Sequence, residues 1–329
     1  VSGTRRLTVR HDTFPLAGVF RISRGARSEA NVVVAEIAEG PSRGRGECLP
    51  YPRYGETVEG VMAQVASLAD AVAEGLDRAA LQEALPPGAA RNAVDCALWD
   101  LEAKQTGRPA WELAGVPEPQ PLDITYTISL GTPDEMAAQT REHADAPLLK
   151  LKLTGEGDLA RVQAVRKASP QARIITDANE GWTAALYREL APSLARLGVE
   201  LIEQPLPADS DEPLADMEHP VPVCADESCH VAADVPALAT RYDFVNVKLD
   251  KSGGLTEALR VVEAARDAGL GIMVGCMVGT SLGVAPATLL GYAVRYADLD
   301  APLLIAQDRP DALAVEGSVL HPPRAALWG

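Results

Sequence analysis

The stretch Pro147-Leu148-Leu149-Lys150-Leu151-Lys152-Leu153 is a short apolar run interrupted by two lysines. Its length and leucine content read as a buried strand. Strand side chains alternate, so Lys150 and Lys152 share one side while Leu149, Leu151 and Leu153 share the other. Two ammonium groups side by side make each other's charge costlier. At least one of the pair is therefore expected to have a depressed pKa, which would suit it to proton abstraction near neutral pH. Lysines are also common on solvent-exposed edge strands, and the surrounding chain decides between the two readings.

That surrounding chain is periodic. From Leu122 on, apolar runs occur at Ile124–Leu130, Leu148–Leu153, Arg173–Ile175, Val199–Ile202, Val221–Cys224, Phe244–Val247, Gly271–Val274 and, less sharply, Leu299–Ile305. Helical patterns lie between them, at Thr132–Ala144, Asp158–Ala168, Trp182–Leu197, Val231–Thr240 and Leu255–Ala268. Alternation of this kind, at a spacing of about 22–27 residues, predicts parallel βα units, and eight of them predict a barrel over residues 119–307. Residues 1–118 mix strands and helices. Arg5–Arg10 alternates weakly, Asn31–Ala38 and Gly44–Cys48 are strand-like, and Val58–Glu74 and Ala89–Gln105 are helical. Phe14–Ser28 and Tyr51–Thr57 read as loops. The proline-rich Val116–Pro121 reads as an interdomain linker. The tail, 308–329, is too short for a domain and is expected to pack back on the first one.

Composition bounds the partners. The chain has 329 residues, 47% hydrophobic and 23% charged, as in soluble globular proteins. A net charge of −16 makes nucleic acid and anionic membranes poor partners. Five cysteines, an odd number with no C-x-x-C pair, fit reduced thiols in the cytoplasm. No apolar signal core follows Val1-Ser2-Gly3-Thr4-Arg5. Leu270–Val294 carries only uncharged residues over a membrane-spanning length. Its glycines and Pro286 make it a buried strand, a glycine-rich loop and a buried helix instead.

In a βα barrel, active-site residues stand where strands end. Lys150 and Lys152 end the second run, Asp177 the third, Glu203 the fourth, Asp226 the fifth and Lys248 the sixth, while Asp298 and Asp300 stand at the last. Asp177, Glu203 and Asp226, on three successive strand ends, form an all-oxygen donor set. Such a set favours Mg²⁺, with Mn²⁺ a possible substitute, and no histidine stands there to favour zinc. Lys152 and Lys248 come from the second and sixth strands, on opposite sides of the axis with the acids between. Two such bases can remove an α-proton from one face of a carbon and return one to the other, through an enediolate whose charge the metal takes up. The five histidines (His11, His143, His219, His230, His321) have no ligand spacing. Gly253-Gly254 lacks a following Lys-Ser or Lys-Thr, and reads as a tight turn near the ligand.

With these residues in place, the chain resembles the enolase superfamily, in its Lys-x-Lys branch, and within it the dipeptide epimerases. The likeness runs over essentially the whole chain. It is carried most strongly by Ile22–Ala30 (ISRGARSEA), Gly46–Glu56 (GECLPYPRYGE), Gly88–Ala93 (GAARNA), Cys224–His230 (CADESCH) and Lys248–Ala258 (KLDKSGGLTEA). The resemblance implies a modified TIM-type (β/α)7β barrel with an N-terminal α+β capping domain. It implies epimerisation of an L-Ala-D/L-Glu dipeptide at the Glu α-carbon, in recycling of peptidoglycan (murein) peptides. Lys152 and Lys248 would be the acid/base pair and Lys150 would orient or tune Lys152. Asp177, Glu203 and Asp226 would hold one Mg²⁺ per subunit. Asp298 and Asp300 would hold the dipeptide's ammonium, Arg24 would pair with the Glu side-chain carboxylate, ahead of Arg21 or Arg27, and Thr127 would touch the substrate. A homo-oligomer is compatible with the chain. The alternatives are epimerisation of other dipeptides, a cycloisomerase or o-succinylbenzoate synthase, and a catalytically inactive binding protein. The paired acids speak against the second, and the intact lysine and carboxylate set against the third.

Overall fold

In the computed structural model the described residues are 4–22 and 25–329. Arg24 therefore lies outside them. The chain opens with an antiparallel sheet in the order β1 (Arg6–Ile22), β2 (Gly25–Glu39), β3 (Ser42–Cys48). Most of Phe14–Ser28, expected as a loop, is strand: β1 and β2 pair as far as Ile22↔Gly25, with a register shift between Pro15 and Phe20. Glycine and arginine disguise the apolar positions Phe14, Leu16 and Phe20, which pack with Val32, Leu49 and Ile305. The expected helix Val58–Glu74 breaks at Ser67-Leu68 into α1 (Val58–Ala66) and α2 (Ala69–Ala73). A short α3 (Arg78–Ala84), not anticipated, precedes α4 (Ala89–Thr106) and α5 (Ala110–Ala114).

The helix α4 is buried along most of its length because it is clasped on two sides. On one side lies β3, whose Gly44 and Gly46 let the two backbones touch: a Cβ on Gly46 would overlap Ala93 O and Ala97 N of α4. Neither is a side chain that can rotate away. Gly46→Ala is therefore expected to cost about 2–3 kcal/mol of stability, read as a lower urea midpoint. A wild-type midpoint would mean that α4 is not seated on β3 in this way.

After the short β4 (Leu122–Asp123), eight parallel strands run in the sheet order β12-β11-β10-β9-β8-β7-β6-β5. The first βα units are β5 (Tyr126–Ile128), α6 (Pro133–Glu142), β6 (Leu148–Lys152), α7 (Asp158–Ala168), β7 (Arg173–Asp177), α8 (Ala184–Arg196) and β8 (Val199–Glu203). A 3-10 turn at Glu212–Asp216 stands where the next helix would be, before β9 (Val223–Ala225). Then come α9 (Val235–Leu238), β10 (Phe244–Val247), α10 (Leu249–Ser252), α11 (Leu255–Asp267), β11 (Gly271–Gly275), α12 (Ser281–Val284), β12 (Tyr296–Asp298) and α13 (Ala301–Leu304). The ring closes through an Ile124↔Ala297 bridge and Thr125 N–H donating to Ala297 O at 2.9 Å. The fold is thus α/β, a barrel with an N-terminal antiparallel sheet and helices.

Two expectations change here. The last strand is Tyr296–Asp298, not Leu299–Ile305. The latter contains Pro302, which has no N–H for a ladder but suits the first turn of α13. Leu270–Val294 divides into β11, α12 and a 3-10 stretch at Ala285–Ala293. No helix among the described residues is long and apolar enough to cross a membrane.

The N-terminal elements grip the barrel beside Lys248. From α4, Arg91 donates to Ser252 O and Gly253 O, Asn92 to Asp250 Oδ1 at 2.9 Å, and Trp99 to Thr256 Oγ1 at 3.0 Å. Gly254, at φ 113°, lies against Asp95, and a Cβ there would overlap its carboxylate. The Gly253-Gly254 turn thus fits the cap helix, where the sequence suggested the ligand. Tail residues return to the cap as well. Trp328 Nε1 donates to Cys96 O at 2.9 Å, and Arg309 pairs with buried Glu47 at 2.7 Å. The final hairpin, β13 (Val315–Glu316) and β14 (Val319–Leu320), pairs with β4.

Candidate active site

The register of the barrel sets the acids side by side. Asp177 lies opposite Lys152 on one neighbour and Glu203 on the other, and Glu203 lies opposite Cys224, two residues before Asp226. All three carboxylates are buried, and four lysines are turned onto them. Lys152 Nζ is 2.6 Å from Asp177 Oδ2. Lys150 Nζ is 2.6 Å from both Glu203 Oε2 and Asp298 Oδ2, and 3.3 Å from Asp177. Lys248 Nζ is 2.6 Å from Asp226 Oδ2, and Lys251 Nζ is 2.6 Å from Asp226 Oδ1. Buried charges demand such partners.

These contacts reverse the depressed titration expected of the lysine pair at Lys150. Burial alone would discharge Lys150, but Asp298, Glu203 and Asp177 outweigh it and hold its pKa well above the usual lysine range. Lys248 is likewise raised, burial being overcome by Asp226 and Glu203. The sequence placed a second ammonium beside Lys150; folding places Asp298, Glu203 and Asp177 around it, and opposite charge wins there. The acids divide. Burial is outweighed at Asp177 by Lys152 and Lys150, and at Asp226 by Lys248 and Lys251, so both stay below the carboxylate range. Burial and then Asp177 push Glu203 up to about 7, and burial and then Asp298 push Asp300 up to about 6.

Among the described residues no three His, Cys, Asp or Glu side chains stand together as a ready metal cage, because each acid is shared with a lysine. The donor set nevertheless fits a hard cation. All its atoms are carboxylate oxygens on three adjacent strand ends. Glu203 Oε2, although beside Lys150, accepts no aligned hydrogen bond. A buried carboxylate oxygen paired by charge but not by an aligned hydrogen bond suits a hard cation such as Mg²⁺.

Lys152 and Lys248 line one cavity of about 450 Å³, together with Asp226, Phe20, Arg27 and Tyr54. They project from β6 and from the end of β10, four strands apart in a ring of eight. Phe20 lies 5.9 Å from Lys152 Nζ, so the β1–β2 hairpin covers this mouth. Asp298 accepts from Thr125 Oγ1 at 2.6 Å as well as from Lys150, and Asp300 accepts the Thr127 N–H at 2.8 Å. Of the described candidates, Lys152, Asp226 and Lys248 line the cavity; Asp177, Glu203 and Asp298 join them through Lys150 and Lys152, and Asp300 and Thr127 are bonded to each other. Arg24, expected to pair with the substrate side chain, lies outside the described residues.

Residues 135–326 match the enolase C-terminal domain-like family, and residues 4–115 match the mandelate racemase/muconate lactonizing enzyme N-terminal domain. The chain belongs to the enolase superfamily. It is 47% identical to the L-Ala-D/L-Glu epimerase of Escherichia coli (strain K12), covering 96% of this chain and 99% of that one. It is 41% identical to the N-acetyl-D-glutamate racemase of a Pseudoalteromonas species, over 91% of this chain and 95% of that one. An enolase family member from Agrobacterium tumefaciens with homology to dipeptide epimerases, solved with sodium and L-Ala-L-Glu, superposes with a TM-score of 0.97 at 55% identity, covering 99% and 100% of the two chains.

In this superfamily member, sequence reasoning missed several neighbours of the acids. Lys251 is almost fully buried and contacts the Asp226 carboxylate and main chain. Its signal was available: on the one-turn helix α10 it follows Lys248 by three residues and returns to the same side. Asn246 Nδ2 donates to Glu203 Oε1 at 2.7 Å, and Asn179 N–H to Asp177 Oδ1 at 2.9 Å. Arg53 forms a two-pronged pair with Glu180 at 2.7 and 2.8 Å, joining the Tyr51–Thr57 loop to the barrel mouth.

Proposed function

We propose that this enzyme epimerises acidic dipeptides at the α-carbon of the second residue, L-Ala-D/L-Glu first among them. The observation that carries this is the placing of Lys152 and Lys248 four strands apart in one cavity, with three acid-bearing strand ends between. A substrate carbon between the two amines can lose its proton to one and gain a proton from the other, which inverts it. Asp177, Glu203 and Asp226 would hold one Mg²⁺ per subunit, with Mn²⁺ a substitute. When bound, such an ion supplies positive charge against the negative charge that develops on the substrate carboxylate. Lys150, tied to Glu203 and Asp298, orients these groups beside Lys152. Asp300, with Asp298, receives the dipeptide's ammonium near Thr127, and Arg24 pairs with the Glu side chain. The cap is assigned to residues 1–118 and the barrel to 119–307, with 308–329 packing back on the cap through Arg309 and Trp328 while its hairpin pairs with β4. A cytoplasmic role in murein peptide recycling accords with the five unpaired cysteines.

One observation favours a second reading. Asp298 is already engaged by Lys150 and Thr125, which leaves Asp300 as the freer acid for an ammonium. An N-acylated glutamate carries no ammonium, and one relative is named for racemising such a compound. The test is turnover with Mg²⁺ on L-Ala-L-Glu and on N-acetyl-L-glutamate, followed by chiral chromatography. Inversion of the dipeptide at a kcat/KM at least about tenfold higher is expected. The reverse preference would replace the dipeptide by the acylated amino acid.

A further inference from the structure

Three of the four described non-glycine residues with positive φ follow the acid-bearing strands: Asn179 (45°), Glu180 (65°) and Gln204 (33°). Backbone in this region is uncommon for side-chain-bearing residues, and persists where surroundings over-determine it. Gln204 is over-determined to an unusual degree. It is fully buried and follows Glu203 directly. Its N–H donates to Cys224 O at 2.8 Å, and its C=O accepts the Glu180 N–H at 2.8 Å. Its side-chain Oε1 accepts the N–H of Asp226 at 2.8 Å and of Ser228 at 3.1 Å. Its Nε2 faces three acceptors at 2.9 Å: Leu206 O, Ser228 Oγ and Tyr242 OH. The two main-chain donors on one side and a carbonyl on the other decide which end of the amide is which.

One residue is thus bonded to all three acid-bearing loops: beyond Asp177 through Glu180, beside Glu203 by covalent adjacency, and at Asp226 through its own N–H. A second layer holds the amide in turn. Tyr242 OH and Ser228 Oγ both donate to buried Asp211 Oδ2, at 2.6 and 2.5 Å, and Arg241 lies 3.0 Å from the other oxygen. An amide suits this place. It supplies an acceptor and donors at once and adds no charge beside carboxylates that already repel one another.

We propose that Gln204 is a positioning residue that sets the spacing of the Asp177, Glu203 and Asp226 carboxylates, and so governs divalent-cation affinity without touching the cation. This rests on the reading that those acids hold a divalent cation. The test is calorimetric titration with Mg²⁺ alone, without substrate, on wild type, Gln204→Leu, Tyr242→Phe and Asp226→Asn, each checked for folding by its melting in EDTA. Outer-shell partners of metal ligands commonly tune affinity by 10–100-fold. Gln204→Leu is expected to weaken Mg²⁺ binding at least about tenfold at temperatures where it is folded. Tyr242→Phe, which removes only one support of the amide, is expected to weaken it about threefold with little change in melting, and carries the test if the leucine variant does not fold. Wild-type Mg²⁺ affinity in the folded variants, whatever their melting temperatures, would overturn the proposal and leave Gln204 a packing residue. If the wild type itself binds no Mg²⁺, or Asp226→Asn binds it as well as wild type does, the underlying metal reading fails instead.

Discussion

Asp226→Asn is expected to abolish turnover, to weaken Mg²⁺ binding at least about 100-fold, and to cost about 3 kcal/mol of stability. The carboxylate has two duties. One is to the proposed metal, where an amide offers a single weak donor in place of a charged one. The other is to Lys248 and Lys251, each 2.6 Å from a different oxygen of the same group. Neutralising Asp226 strips Lys251 of its carboxylate partner and leaves Lys248 with Glu203 at 4.0 Å, and breaking a buried pair is far costlier than never having built it. Calorimetry with Mg²⁺ and urea unfolding in EDTA separate the two effects. Lost stability with wild-type metal affinity would take Asp226 out of the metal site while leaving its ion pairs intact.

The single variants Lys152→Ala and Lys248→Ala are each expected to lower the epimerisation rate by about 10²–10⁴-fold, the range of a positioned acid or base. Both should fold, for a reason visible in the ion pairs. Asp177 retains Lys150 at 3.3 Å when Lys152 is removed, and Asp226 retains Lys251 when Lys248 is removed. Each acid that loses one amine keeps another, in contrast to Asp226→Asn, where two amines lose one acid. The measurement is kcat and KM for L-Ala-L-Glu on variants whose melting is close to wild type. An effect confined to KM would make the lysine a binding group.

Much of this site was legible because barrel geometry turns sequence position into spatial position. Lys152, Asp177, Glu203, Asp226 and Lys248 each close an apolar run, and parallel strands bring their ends to one face. Asp158–Ala168 and Phe244–Val247 form the expected helix and strand because their patterns run uninterrupted to clear stops. The β1–β2 pairing was hidden because its alternation breaks at the register shift between Pro15 and Phe20, where Gly18 stands, with Arg21 and Arg27 beside it. Tyr296–Asp298 was hidden because three residues are too few to show a period. The charge state of Lys150 lay beyond local reading altogether. Its partners Asp177, Glu203 and Asp298 come from three other strands, and only their convergence decides which charges meet. Gln204 was invisible for the same reason: its bonds to Asp226, Ser228 and Tyr242 cross 22, 24 and 38 residues of chain.

In the proposed reaction the two amines face opposite sides of one substrate carbon. Hydrogen–deuterium exchange at the α-carbon, followed by NMR in D₂O for each epimer separately, tests it most directly with the two single-lysine variants. Lys152→Ala should still exchange the α-proton of one epimer and lose exchange of the other, and Lys248→Ala should show the opposite pattern. Loss of exchange from the same epimer in both variants would place the two lysines on one face of the carbon, and retention of both in either variant would show that its lysine moves no proton; either result contradicts the two-base arrangement.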